Sequence, residues 1–147
     1  MKELEYPFDA AYIIKKRKSL KKALLADGTS RIRKKIAVFG GSTTSDIVKT
    51  LELFLLDAGI EPEFYESEYA QYFQDAMFPD ETLLSFKPDI VFIHTTNRNV
   101  TDWPEMTDTT EQIDEKLHTE INRFTAMWKS IAEKLSLIHI SEPTRPY

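Results

Sequence analysis

The chain contains no cysteine in its 147 residues. That absence excludes disulfides, thiolate metal sites and a cysteine nucleophile, and it suits a reducing compartment. Long apolar runs are missing too. Nothing approaches the roughly 18 consecutive apolar residues that suggest a membrane span, and Met1-Lys2-Glu3-Leu4-Glu5-Tyr6 lacks the apolar core of a secretory signal. The expectation is a soluble, cytoplasmic protein with no membrane partner. Glycine is scarce, four residues in all, and two of these are adjacent at Gly40-Gly41. Internal repeats and low-complexity tracts are absent. With 41% hydrophobic and 12% aromatic residues, the chain can bury one ordinary core and has little room for two domains.

Charge is unevenly spread. Residues 1–35 hold 11 Lys/Arg against 4 Asp/Glu, and the remainder holds 8 against 20, so a segment of net +7 precedes one of net −12. A basic arm can contact nucleic acid. Here Lys15, Lys16, Lys18, Lys21 and Lys22 alternate with Ile13, Leu20 and Leu24, which is the pattern of a solvated helix face. Interleaved aromatics and a nucleic-acid motif are both missing, so no nucleic-acid partner is expected.

Hydrophobic periodicity gives alternating helices and strands. After Pro7 a helix is expected over 9–25, stopped by Asp27-Gly28. Lys35-Ile36-Ala37-Val38-Phe39 reads as a buried parallel strand ending at Gly40-Gly41. From Asp46 onward Ile47, Val48, Leu51, Phe54 and Leu55 recur at helical spacing, with Gly59 as a left-handed stop. Glu63-Phe64-Tyr65-Glu66 is a short second strand. Residues 69–77 and 81–86 read as short helical pieces separated at Pro79. Ile90-Val91-Phe92-Ile93-His94 is a third buried strand, opening into a long polar loop over 95–110. The last helix carries Ile113, Leu117, Ile121, Phe124, Trp128 and Ile131 on one stripe. This βαβαβα order implies an α/β three-layer sandwich with a parallel sheet. Such sheets usually have about five strands, so the sheet is expected to be incomplete at its C-terminal side. An exposed strand edge and the Ile121/Phe124/Trp128 stripe then predict self-association.

Residues Leu135 to Arg145, Leu-Ser-Leu-Ile-His-Ile-Ser-Glu-Pro-Thr-Arg, resemble a sequencing-library adaptor translated in frame. The alternative is a natural Pro-containing tail. On the adaptor reading residues 135–147 are not native, native sequence is expected to end near Lys134, and His139 carries no functional weight.

In open parallel sheets, ligands bind beyond the carboxyl ends of the strands. Three loops leave those ends here: Gly40 to Ser45, Ser67-Glu68-Tyr69 and Thr95 to Asn99. In the first, paired glycines permit a sharp turn with N–H groups outward, and Ser42 stands just ahead of a helix N-terminus, a geometry suited to an anion or oxyanion. The competing reading is a tight turn in which Ser42, Thr43, Thr44 or Ser45 merely caps the helix. The later glycines of a phosphate loop or dinucleotide fingerprint are missing. His94 is a candidate base or a structural histidine ending an apolar strand. Asn97 is an oxyanion donor or the closure of an Asx turn. Asp102-Trp103-Pro104 reads as loop packing, and Glu66 with Glu68 makes a poor glycosidase dyad.

The blocks Lys35 to Thr44, Glu61 to Tyr69 and Pro88 to Asn99 resemble the N-terminal region of FkbH-like proteins, over most of residues 1–134. In that family an SGNH-hydrolase-like domain precedes a haloacid-dehalogenase-like domain of the IIIC phosphatase group. The resemblance implies an SGNH- or flavodoxin-like sandwich. It also implies a full-length parent acting in glyceryl or acyl transfer onto an acyl carrier protein, or in phosphatase-like chemistry. Magnesium would belong to the second domain, since no Asp-x-Asp-x-Thr motif occurs here, and no cofactor is expected in this chain. Gly40-Gly41-Ser42 stands where the SGNH superfamily has Gly-Asp-Ser, which makes Ser42 the candidate nucleophile. Thr95-Thr96-Asn97 stands where it has Gly-x-Asn, which makes Asn97, with Gly41, the candidate oxyanion or ligand-binding group. The Asp-x-x-His block is absent, so the chain by itself is expected to be inactive. A serine esterase cut before its base and a non-catalytic docking module for a carrier protein are the alternatives.

Overall fold

The computed structural model describes residues 1–135; the proposed adaptor-derived segment lies outside them apart from Leu135. Helix α1 (Ala10–Ala26) starts at Asp9, whose carboxylate accepts from the Tyr12 N–H. Strand β1 (Ile32–Gly40), helix α2 (Ser45–Asp57) and strand β2 (Ile60–Glu66) follow. Two one-and-a-half-turn helices, α3 (Tyr72–Met77) and α4 (Glu81–Phe86), then lead to strand β3 (Ile90–His94). Helix α5 (Thr110–Lys134) ends the described chain. Its 25 residues span about 37 Å. Among the described residues no helix is long and apolar enough to cross a membrane.

The three strands form one parallel sheet in the order β2-β1-β3, with Ile36 opposite both Phe64 and Ile90. Alternation along β1 divides the core. Ala37 and Phe39 face a cluster with Tyr72 and Ala76 of α3, Leu83 of α4, and Met127 and Ile131 of α5. Ile36 and Val38 face the other way, onto Val48 and Leu55 of α2 and Phe64 of β2. Helix α1 packs chiefly on α2 through Ile13, Leu20, Leu24, Leu53 and Leu56. Two ion pairs reinforce that contact, Arg17–Asp46 at 2.8 Å and Lys21–Glu52 at 2.7 Å. The Arg31 guanidinium donates to the Leu24 and Leu56 carbonyls, at 2.7 and 2.9 Å, and thereby satisfies the C-terminal ends of both helices. The remaining α1 lysines face solvent, as the amphipathic reading requires.

The molecule is thus a three-layer α/β sandwich that is incomplete beside β3. Ile90 and Phe92 point to the α2 side of the sheet, where no helix covers them among the described residues, and are 46% and 38% exposed. Strand ends are fixed by polar groups. Where β3 begins, the Asp89 N–H donates to the Lys35 carbonyl at 2.7 Å and the Asp89 carboxylate accepts from the Lys35 N–H at 2.8 Å. Where β1 ends, the Gly40 N–H donates to the Ser67 hydroxyl at 3.1 Å.

Three boundaries differ from expectation, one of them the start of β2, which begins at Ile60 rather than Glu63. β1 begins three residues early, because Ile32, Arg33 and Lys34 pair with Ile60, Glu61 and Pro62 through the backbone while their side chains stay largely outside. The helical piece expected from residue 69 begins at Tyr72, because Ala70 takes a left-handed φ of 61° and breaks the run.

Candidate functional site

β1 delivers Gly40-Gly41-Ser42 to the carboxyl edge of the sheet, between the ends of β2 and β3. The Gly41 N–H donates to the His94 carbonyl at 2.9 Å, extending the β1–β3 ladder by one rung. The Gly41 carbonyl accepts from the Asn99 side-chain amide, also at 2.9 Å. These two bonds lay the first and third loops side by side. Both glycines are needed for closeness rather than for unusual dihedrals. A Cβ on Gly41 would collide with the Asn99 side chain, and one on Gly40 would collide with the Thr44 methyl and approach the Ser42 carbonyl to 2.8 Å.

Thr44 occupies the N-cap position of α2, but its side chain does not cap. Its buried hydroxyl instead donates to the Glu66 carboxylate at the end of β2, at 3.2 Å. The first turn of α2 therefore has no side-chain acceptor at its N-cap, and Ser42 sits half-buried two residues ahead of that cap. This leaves the helix-terminal N–H groups available to an anion.

The loop after β3 is ordered rather than irregular. Asn97–Asn99 form one 3-10 turn closed by a reciprocal cap: the Thr96 hydroxyl accepts from the Arg98 N–H, and the Asn99 carboxamide oxygen accepts from the Thr96 N–H at 2.8 Å. Asn97 opens this turn and is exposed, whereas Asn99 reaches the Gly41 loop. Sequence reasoning missed Asn99. The signal was the Thr-x-x-Asn spacing from 96 to 99, a capping-box pattern. The His94 ring lies along Phe92, with centroids 6.4 Å apart.

Helix α5 holds this loop. Arg123 donates to the Asn99 carbonyl at 2.6 Å, to the Tyr72 hydroxyl at 3.3 Å and twice to Glu120, at 2.7 and 3.2 Å. Glu120 also accepts from the Thr101 N–H at 3.2 Å and from its hydroxyl. The Arg123 hydrogen bond, with help from Thr101 and against the opposing effect of burial, holds the Glu120 carboxyl down at about 2. Further along, Lys116 ties Asp108 at 2.8 Å and Asp102 at 3.5 Å to the same helix. Asp102 is thus a loop anchor, and Trp103 is 56% exposed. Burial, followed by the nearby Asp80 and Glu68 carboxylates, pushes the Asp75 carboxyl up. Among the described residues no group of three or more His, Asp or Glu side chains is placed to hold a metal ion.

Gly41→Ala is expected to lower stability by about 1–3 kcal/mol, because the new methyl must displace a hydrogen-bonded side chain. Urea unfolding checks it. In an Asn99→Ala background the same substitution should cost little, since the colliding group is gone; equal costs in both backgrounds would show that Asn99 is not the obstacle.

No family model matches the chain, and no curated protein matches it. Its fold is similar to the crystal structure of the N-terminal part of the protein BF1531 from Bacteroides fragilis, which contains a phosphatase domain complexed with Mg. The TM-score is 0.57 at 19% identity, over 77% of this chain. The chain spans 30% of the length of that structure, and the likeness is one of fold.

Proposed function

We propose that residues 1–134 are the SGNH-like N-terminal portion of an FkbH-like protein. In this reading the full-length form carries out glyceryl or acyl transfer on an acyl carrier protein, or phosphatase-like chemistry, and residues 1–134 alone are inactive. The observation that carries the proposal is the shared fold with the N-terminal part of BF1531, a longer chain that contains a phosphatase domain. The blocks quoted above from residues 35–99 add to it. Magnesium does not fit the residues present, which offer no clustered donor set among the described residues. It belongs in this reading to the second domain, and no step here runs through it.

Within the proposal Gly41, Ser42 and Asn97, on the loops that leave the carboxyl edge of the sheet, are the remnant of an anion- or oxyanion-binding site. The absence of a side-chain cap from Thr44 at the start of α2 supports that role, because peptide N–H groups and the helix dipole favour negative charge there. In this reading Ser42 stands where the SGNH motif has its nucleophile, and the Asp-x-x-His block that supplies the base in that superfamily does not occur in the sequence. The chain should therefore hydrolyse p-nitrophenyl acetate no faster than background, and Ser42→Ala should leave that rate unchanged. Hydrolysis that disappears in Ser42→Ala would establish a serine esterase instead. The parentage has its own test: gene sequence beyond the codon for Lys134 should encode Asp-x-Asp-x-Thr, whereas an Asp-x-x-His block followed by a stop would replace the proposal with the esterase.

A further inference from the structure

Helix α1 carries Lys15, Lys16, Arg17, Lys18, Lys21 and Lys22 and no acidic residue. Arg17 and Lys21 pair with Asp46 and Glu52 of α2. The other four are exposed and have no side-chain partner among the described residues. The acids that precede and follow the helix act elsewhere: Asp9 caps α1, Asp27 holds Arg31, and Glu3 and Glu5 lie close enough to the amino-terminal amine to help raise its pKa.

A face kept only for solubility ordinarily mixes signs, because like charges three or four residues apart repel. Lys15 and Lys18, and Lys18 and Lys22, stand at those spacings. The helix dipole does not account for them, since the last turn of α1 holds no basic residue. Apolar side chains share the strip. Ile14 and Leu25 are 57% and 52% exposed, and positions 14, 18, 22 and 25 recur every three or four residues with Lys15 alongside.

We propose that this face of α1 rests on an anionic lipid bilayer, with Lys15, Lys18 and Lys22 among the headgroup phosphates and Ile14 and Leu25 at the acyl boundary. The side-chain types select this partner among polyanions. Carboxylates at protein interfaces favour arginine, and lysine is depleted there; the one arginine of α1 is held by Asp46. A nucleic-acid backbone attracts lysine but offers nothing to exposed Ile14 and Leu25, whereas a bilayer takes both kinds of side chain. The contact departs from the expectation of no membrane partner. It needs no spanning segment, and none occurs among the described residues.

Cosedimentation of the full chain with vesicles tests this. The chain should pellet with phosphatidylcholine vesicles containing about one-third phosphatidylserine, stay in solution with phosphatidylcholine alone, and be released by high salt. Lys18→Gln with Lys22→Gln should weaken binding by roughly fivefold per lysine. Ile14→Gln with Leu25→Gln should weaken it as well, and both pairs should leave the far-ultraviolet circular dichroism unchanged. No binding to the anionic vesicles overturns the proposal, as does binding that the lysine pair leaves intact. A loss confined to the lysine changes also overturns it, because the apolar side chains then touch no lipid. So does tighter binding to a duplex oligonucleotide than to the vesicles, which assigns the face to nucleic acid.

Discussion

Arg123→Ala should lower stability by about 3–5 kcal/mol at neutral pH, the range seen when one partner of a buried ion pair is removed. Glu120 is 6% exposed, and the guanidinium supplies two of its hydrogen bonds. Alanine leaves the carboxylate buried with Thr101 as its remaining donor, and it also removes the bond to the Asn99 carbonyl that secures the loop beside Gly41. The deficit should depend on pH. In the intact chain the Glu120 carboxyl is held at about 2, below its ordinary 4.5. A depressed folded-state value contributes stability that is full above the unfolded value and is lost as pH falls toward 2. In Arg123→Ala burial acts without the compensating cation, so the carboxyl rises, and proton uptake relieves the variant at pH values above the ordinary 4.5, before the intact chain loses its own contribution. The gap between the two proteins should therefore narrow from about pH 5 to pH 2. Urea unfolding at several pH values measures it. A deficit under about 1 kcal/mol that does not vary with pH would mean that the pair is solvated and contributes as surface pairs do. Glu120→Gln, which keeps an acceptor for Thr101 and carries no charge, should lose less than Arg123→Ala.

Phe39→Ala should cost a similar 3–5 kcal/mol by leaving a cavity in the larger core. Phe39 is fully buried between β1 and α3, α4 and α5, with Leu83 and Met127 equally inaccessible. A well-chosen comparison is Phe92→Ala. The two phenylalanines stand one rung apart on neighbouring strands, since Phe39 pairs with Ile93 and Val38 with Phe92, but they point to opposite faces. Phe92 is 38% exposed and should cost no more than about 2 kcal/mol, because part of its surface is already in water. Equal costs by chemical unfolding would show that the α2-side face of β3 is as dry in solution as the main core.

The elements that could be read from sequence are those whose burial is locally encoded. Ile36 to Phe39 and Ile90 to His94 are apolar runs bounded by Gly or Pro, and both are strands close to the expected limits. Residues 32–34 were illegible as strand because Arg33 and Lys34 contribute only backbone to the ladder, and pairing with 60–62 is a nonlocal fact. The Gly40-Gly41 turn was legible as a special position, but its reason was not: the constraint is the approach of Asn99, 58 residues away. Thr44 shows the same limit. Its place at the start of α2 follows from local pattern, while the partner its hydroxyl takes, Glu66, depends on how the sheet brings β2 alongside. Helix α5 was legible from its stripe, yet periodicity alone could not say which of its apolar residues face inward. Met127 and Ile131 do, and Leu117 and Ile121 do not.

The alternation along β1 carries a further implication for how the fold is specified. Ile36 and Val38 serve one layer and Ala37 and Phe39 the other, and both layers are apolar. A slip of one residue would exchange these pairs between two oily environments instead of turning any of them to water, so burial discriminates weakly between the native frame and its neighbour. The information that selects the frame must then come from groups that tolerate no displacement. Asp89 grips the backbone of Lys35 through both its N–H and its carboxylate, and at the far end Gly40 and Gly41 are the residues small enough to pass Thr44 and Asn99. A slipped strand would present Phe39 where Gly40 must lie. In this sheet the polar and glycine-bearing ends act as the alignment marks, and the hydrophobic middle supplies cohesion with little sense of position.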